Sequence, residues 1–389
     1  MRNYKSRVYS VHIARLLYGI NWMDIAPALS YIRQSFLIST VEIGALVASF
    51  YTGLFAFQFL GGYLSSLIGD KTTSLTGIIL VGIFAITSGL STNFPELLLS
   101  RFLAGLAAAL FFSPALSLLA SIVPAEKYTF HVGIYNASYA IGSGIGVAGW
   151  SIMDIYVGYK NGFIIAGIAT VFLFIMLTVL LKDISNVKTH KKDIVKSIKM
   201  VLSSKLIPLV ALIGGGTIIA YTIMGQFFVY YLEYLKFGTL KSGYISSLFL
   251  LIGFIGGVVG GYHYSRTKHK LAVFIILNVL ISILLIIVGF VFNIILIIIV
   301  VILMGMLAVY GFSVIYAIIR NLSRRDLVSL SISYTNTVQL AIAAIVPVIF
   351  TYLSEVSGYK ASWIAMGIIS MALISLIIPA KKVLYNKIT

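Results

Sequence analysis

The sequence predicts an all-α integral membrane protein of twelve transmembrane helices, arranged as two pseudo-symmetric six-helix bundles. Three observations predict it. The 389 residues are 60% hydrophobic and only 10% charged, against roughly 45–50% apolar and about 25% charged in an ordinary soluble domain. Twelve segments stay apolar for about 18 residues or more, enough for a helix to cross a hydrocarbon core of about 30 Å. Finally, GGYLSSLIGDK at 61–71 returns as GGYHYSRTKHK at 260–270, each time where a long apolar run ends.

The spans are expected at 9–32, 42–66, 74–92, 96–122, 130–153, 162–181, 206–232, 243–264, 271–291, 294–319, 328–353 and 362–380. A transmembrane barrel is excluded, because its strands alternate apolar and polar residues over about ten positions, whereas runs such as IIIVVILMGMLAV are continuous. The first span carries Trp22 and Asp24 and has no small-residue cleavage site, so it reads as a retained helix rather than a signal peptide.

The net charge of +17 does not indicate nucleic acid. With the N-terminus placed in the cytoplasm, most of the 28 Lys and Arg fall in cytoplasmic loops, and only Arg15 and Arg101 lie within spans. That asymmetry is the positive-inside rule and places both termini in the cytoplasm. With no cysteine, a disulfide, a thiolate metal site and a cysteine nucleophile are excluded. No cofactor or metal is expected.

Residues 183–205, DISNVKTHKKDIVKSIKMVLSSK, form the one long polar interruption and separate an N-terminal bundle, 1–182, from a C-terminal bundle, 206–389. Ile194, Ile198 and Val201 recur there at helical spacing beside Lys191, Lys192, Lys196 and Lys199. That pattern suits a basic amphipathic helix on an anionic membrane surface; a solvated linker is the alternative. Asn136 and Asn336, 200 positions apart in the fifth span of each half, add a second echo to the GGY repeat. Parallel six-helix repeats are a known transporter architecture.

Taken together these features resemble the major facilitator superfamily over essentially the whole chain. That family's signature loop between its second and third helices has a Gly, an acid–Arg pair, a second Gly and basic residues. Here Gly62, Gly69 and Lys71 match, Ser66 and Leu67 stand where the acid and the Arg belong, and Asp70 follows one turn late. The second copy has Gly261 and Arg266, with Ser265 in place of the acid. The resemblance implies that this set (Gly62, Gly69, Asp70, Lys71, Gly261 and Arg266) forms a conformational latch. The fourth span is similar to the family's second motif through Arg101, Gly105 and Ala109. The fifth carries Gly133, Gly142 and Gly146 at the family's spacing, with Val147 where the drug-exporting branch has Pro and Gly149 one position early.

Asp24 is the one acid well inside a span, where a charge costs at least about 2.5–3.5 kcal/mol, so it is a candidate functional residue. Desolvation raises a carboxyl pKa and a nearby cation lowers it; proton exchange at Asp24, switched by Arg101, is therefore expected, against a purely structural pairing. Arg101 has two further readings, an anion-binding residue and a structural one. Asn21 shares the helical face of Asp24. The resemblance implies a central cavity lined by the first, fourth, seventh and tenth helices. Trp22, Asn21, Tyr221, Gln226 and Tyr310 are substrate-binding candidates there, with Arg101, and with Asn136, Tyr139, Asn336 and Gln339 from the fifth and eleventh spans; each singly also reads as an interhelical contact.

The ridges Ser138–Gly142–Gly146 and Gly253–Gly257–Gly261 read as packing surfaces, and the resemblance implies that the fifth and eighth helices meet between the halves. GIGVAG at 144–149 matches a dinucleotide fingerprint but sits inside an apolar helix rather than after a strand. The expectation is an alternating-access secondary transporter in the plasma membrane, a monomer in the lipid bilayer. It would move a small-molecule substrate coupled to protons, with drug or metabolite export by proton antiport as the alternative and an integral-membrane enzyme as a remote one.

Overall fold

The computed structural model describes residues 2–184, 191–324, 327–379 and 384, and no strand occurs among them. The linker stretch 185–190 lies outside the described residues, as do the side chains of Ser66, Lys191, Lys192 and Ile194.

The first expected span is two helices, α1 (Arg2–Trp22) and α2 (Ile25–Phe36). Pro27 explains the break: it has no amide hydrogen to return to the carbonyl of Met23, and its ring crowds that carbonyl. The next five spans are α3 (Thr40–Ile68), α4 (Asp70–Leu90), α5 (Phe94–Ile122), α6 (Ala125–Tyr156) and α7 (Tyr159–Leu180). The linker contains α8 (Lys191–Leu202), a helix as expected over its second half. The seventh span is broken at Gly214 into α9 (Leu206–Ile213) and α10 (Gly215–Tyr234), bent by 48°. Three successive glycines, Gly214 to Gly216, weaken the helix there. Then come α11 (Thr239–Arg266), α12 (Lys270–Val288), α13 (Ile294–Leu322) and a long run, α14 (Val328–Ser375), kinked at Gly358. That run holds the eleventh and twelfth expected spans. By length and composition 8 described helices can cross a membrane, or 9 with the bent pair α9–α10 as one span.

Element boundaries recur at an interval of 199 or 200 residues. α5 and α13 start and stop 200 apart, and each opens on an asparagine cap. Asn93 accepts from the Glu96 amide at 3.0 Å, and Asn293 from the Ile295 amide at 2.9 Å. Such caps satisfy amides that have no partner within the helix. Gly158 and Gly358, also 200 apart, have φ of 84° and 82°. Leu37 and Lys236, 199 apart, both take positive φ where the first helix of each half ends. The same turn chemistry has thus been written twice.

The chain divides into two compact units, Met1–Leu37 with Ser49–Lys196, and Ile38–Ala48 with Ser197–Thr389. In the first, α1 lies against α6, and α4 against α5 and α7. In the second, α11 lies against α13, and α14 against α10 and α12. The glycine ridges are taken up inside these units. A Cβ on Gly142 would strike the backbone of Leu16, and one on Gly146 that of Ile20, so the α6 ridge seats α1. On α11, Gly253 and Gly257 face the Val309 side chain of α13, Gly261 faces open space, and Gly256 beside the ridge faces the backbone of Met306. Small residues let helices approach, and the nearest neighbours of Gly142, Gly146, Gly253 and Gly257 belong to each helix's own unit.

Gly69 has φ 95° and ψ 151°, a region essentially reserved for glycine, where another residue costs about 1–3 kcal/mol. Gly62 has open space where a Cβ would sit. Gly69→Ala is therefore expected to lower the melting temperature in detergent, read from intrinsic tryptophan fluorescence, while Gly62→Ala leaves it unchanged or raises it. Equal effects would place the strain elsewhere.

Candidate functional site

The first unit carries a buried ion pair at the helix break. Asp24 stands between α1 and α2 at 1% exposure, and Arg101 projects from α5 at 2%. The guanidinium Nη1 donates to Oδ2 of Asp24 at 3.1 Å, and Nη2 lies 3.0 Å from Oδ1. The two groups the sequence singled out are thus in contact, across 77 residues of chain. Their hydrogen bonding is incomplete. Arg101 Nε and Asp24 Oδ1 are buried without a hydrogen-bond partner among the described residues.

The interrupted helix is braced from its neighbours. The Ile20 carbonyl, whose helical partner would be the Asp24 amide, accepts instead from Trp150 Nε1 at 3.0 Å. Asn21 Nδ2 donates to the Leu17 carbonyl and to Thr170 Oγ1 on α7, both at 2.9 Å. Trp22 Nε1 donates to the Tyr51 hydroxyl at 3.4 Å, and its ring meets Phe50, Tyr51 and Tyr139 edge-on. Asn21, Trp22, Asp24 and Arg101 line one cavity with Tyr18, Phe50 and small residues of α4 and α5. Its volume is about 10 Å³, room for about one water. Tyr18, Phe50, Tyr51 and Thr170 were missed in the sequence, where aromatic residues abound and only the hydroxyl of Thr170 within an apolar helix gave a signal.

The remaining candidates separate. Asn136 is exposed on α6, away from the cavity that Trp22 lines. In the second unit Tyr221 packs on Phe249 and Phe312; Phe312 stacks on Tyr316, whose hydroxyl donates to Asn336 Oδ1 at 2.7 Å. That continuous line joins two predicted residues through two unforeseen ones. Gln226 and Gln339 are buried at 1% and 2% exposure, and Gln339 Nε2 has no hydrogen-bond partner among the described residues. Tyr310 shares a hydrogen bond with His263 Nδ1.

The residues expected to form a latch have identifiable contacts. Ser65 donates to Asp70 Oδ1. Lys71 Nζ donates to the carbonyls of Leu181, Lys182 and Ile184 at 3.0, 3.2 and 2.9 Å, so it caps the end of α7, where carbonyls lack helical partners and a cation is favoured. Arg266 lies over the Tyr262 ring at 4.3 Å. Gly261, like Gly62, has open space where a Cβ would sit.

With this geometry in hand, the likenesses to known proteins can be placed. The family model described as Major Facilitator Superfamily matches residues 11–347. An uncharacterized MFS-type transporter of Methanocaldococcus jannaschii is 28% identical over 180 residues, 46% of each chain. Quinolone resistance protein NorA of Staphylococcus aureus is 28% identical over 163 residues, 41% of each. The chain therefore spans less than half the length of the curated relatives it matches. Among solved structures, a bacterial homolog of the human lysosomal transporter Spinster aligns with a TM-score of 0.84 at 11% identity, covering 99% of this chain and 98% of that one. A D-xylose–proton symporter aligns with a TM-score of 0.75 at 15% identity, covering 95% and 96%. These likenesses establish the twelve-helix fold.

Removing one member of a buried pair strands the other charge, at a cost of about 3–5 kcal/mol. Arg101→Ala is expected to lower the melting temperature markedly, and Asp24→Asn combined with Arg101→Gln to recover most of the loss. A double variant as unstable as Arg101→Ala would show that packing, not charge, is at stake.

Proposed function

This chain belongs to the major facilitator superfamily, and from that premise we propose that it is an alternating-access secondary transporter of a small organic solute, coupled to protons through Asp24 and Arg101. The observation that carries the reading is the paired carboxylate at a helix break, with one oxygen lacking an aligned donor, beside a cavity with room for one water. A carboxylate so placed exchanges a proton when its guanidinium partner shifts. Asn21, Trp22, Tyr139, Tyr221, Gln226, Tyr310, Asn336 and Gln339, with Asn136, supply the polar and aromatic groups that such a solute needs. Residues 1–182 and 206–389 act as the two moving halves, joined by the basic linker 183–205. The protein works as a monomer in the plasma membrane with both termini in the cytoplasm, the orientation that its basic loops favour. Gly62, Gly69, Asp70, Lys71, Gly261 and Arg266 form the latch at that face.

Proton antiport of drugs or metabolites is the second reading, favoured by the similarity to NorA. The two share the coupling step and differ in its direction.

In proteoliposomes, Asp24→Asn is expected to abolish solute accumulation driven by a proton gradient and to spare exchange of labelled solute at equal concentrations. Equal loss of both would remove Asp24 from coupling.

A further inference from the structure

Arg101 has a carboxylate partner; Arg15 has none among the described residues. Arg15 lies on α1 at 4% exposure and forms no ion pair among the described residues. Its Nε and Nη1 are buried without a hydrogen-bond partner among those residues. Four rings surround it: the guanidinium carbon is 4.7 Å from the ring centre of Tyr18, 4.6 Å from Phe112, 4.9 Å from Tyr135 and 4.3 Å from Tyr139. The Tyr18 hydroxyl donates to the Ala108 carbonyl at 3.3 Å.

Stacked rings attract the faces of a guanidinium. They do not satisfy its N–H groups, which lie in the guanidinium plane and point outward from its edge. A cation whose only role was to be held by rings would leave those donors in water or give them a carbonyl. Here two are buried and idle, and a buried polar group without a partner is costly. No carboxylate pairs with Arg15 among the described residues. One helical turn away, His12 Nε2 and His131 Nδ1 are 3.2 Å apart and stacked; His12 precedes Arg15 by three residues and His131 precedes Tyr135 by four, so the pair shares the faces that carry the cage. The guanidinium is therefore enclosed by aromatic rings, with an imidazole pair at the next turn.

We propose that Arg15 is an anion-recognition residue, receiving the carboxylate of a small organic anion on its unpartnered edge while Tyr18, Phe112, Tyr135 and Tyr139 hold the apolar body. The planar fork of a guanidinium matches a carboxylate in a way that a lysine does not. The cage adjoins the coupling site: Tyr18 belongs to both, and Tyr139 meets Trp22 edge-on at 5.8 Å. The inference deepens the proposed function by naming the class of solute and rests on that reading for its physiological role, whereas binding itself needs no transport.

The test uses the full-length protein in an uncharged detergent, with benzoate as probe and benzamide as its neutral counterpart at matched ionic strength. Benzoate is expected to raise the melting temperature and benzamide not to, because specific binding stabilises the folded state. Arg15→Gln is expected to weaken benzoate by roughly 10- to 100-fold, the range for a lost hydrogen bond to a charged group. Benzoate affinity unchanged in Arg15→Gln, or benzamide equal to benzoate on the parent protein, overturns the proposal. Should Arg15→Gln not fold, Arg15→Lys decides: it keeps the charge and loses the fork, and unchanged affinity again overturns the proposal. Arg15-dependent binding without any transport in proteoliposomes would instead sink the transporter reading and leave the site standing.

Discussion

Burying a carboxylate and a guanidinium together is the constraint on which the first unit depends. Each ion loses several kcal/mol of hydration, and their attraction repays that only with good geometry and further hydrogen bonds. Asp24 and Arg101 have the geometry but not the full set of hydrogen bonds. The local structure compensates around them. Pro27 opens the helix, Trp150 takes the carbonyl that the break releases, and Asn21 is tied to α7. The pair is thus held in place by neighbours that do not share its charge, an arrangement that keeps the site fixed if one charge is lost to a proton.

The repeat in the sequence has a physical content beyond similarity. What recurs at the interval of 199 or 200 is the set of positions where a backbone must stop or turn: the caps Asn93 and Asn293, and the positive-φ residues Leu37 and Lys236, Gly158 and Gly358. Polar chemistry inside the helices recurs only in part: Thr170 and Ser370, 200 apart, both bond to a neighbouring helix, but other positions diverge. Asn136 is exposed while Asn336 accepts a hydrogen bond from Tyr316, and nothing in the second half corresponds to Asp24 or Arg101. Even the GGY loops diverge, since Gly69 takes a conformation reserved for glycine where the other copy has Lys268. Turn geometry is fixed by topology, so both copies retain it; the buried Asp24–Arg101 pair belongs to the first half alone.

The membrane class and the helical spans were legible because a helix that faces lipid must be apolar along its length. Asp24 and Arg101 were legible for the converse reason: in such a chain an intramembrane charge is rare enough to be counted. The aromatic cage was not legible. Tyr18, Phe112, Tyr135 and Tyr139 are four of 48 Tyr and Phe, and only the packing of α1 against α5 and α6 selects them. The helix breaks were half legible: Pro27 and the triple glycine at 214–216 were visible as residues, but their consequence depended on whether neighbouring helices could accept the freed backbone groups. The glycine ridges were legible as ridges and not as to partner, because a Gly at four-residue spacing says that a backbone approaches and not which one.

The charge arrangement bears on the direction of the proposed coupling. With Asp24 ionised, the interior of the first unit holds Arg101 neutralised and Arg15 unpaired. Protonation of Asp24 leaves a second uncompensated cation one aromatic layer away, and any anion on Arg15 then gains attraction that the carboxylate had opposed. By linkage the reverse also holds, so a bound anion favours the proton on Asp24. For an anionic solute the two therefore bind together, the thermodynamic signature of symport. A cationic solute would gain from the ionised carboxylate and be expelled by the proton, which is antiport. The choice between the two proposed transport modes thus follows from the charge of the solute, and the unpaired guanidinium in its cage weights that choice towards an anion travelling with the proton.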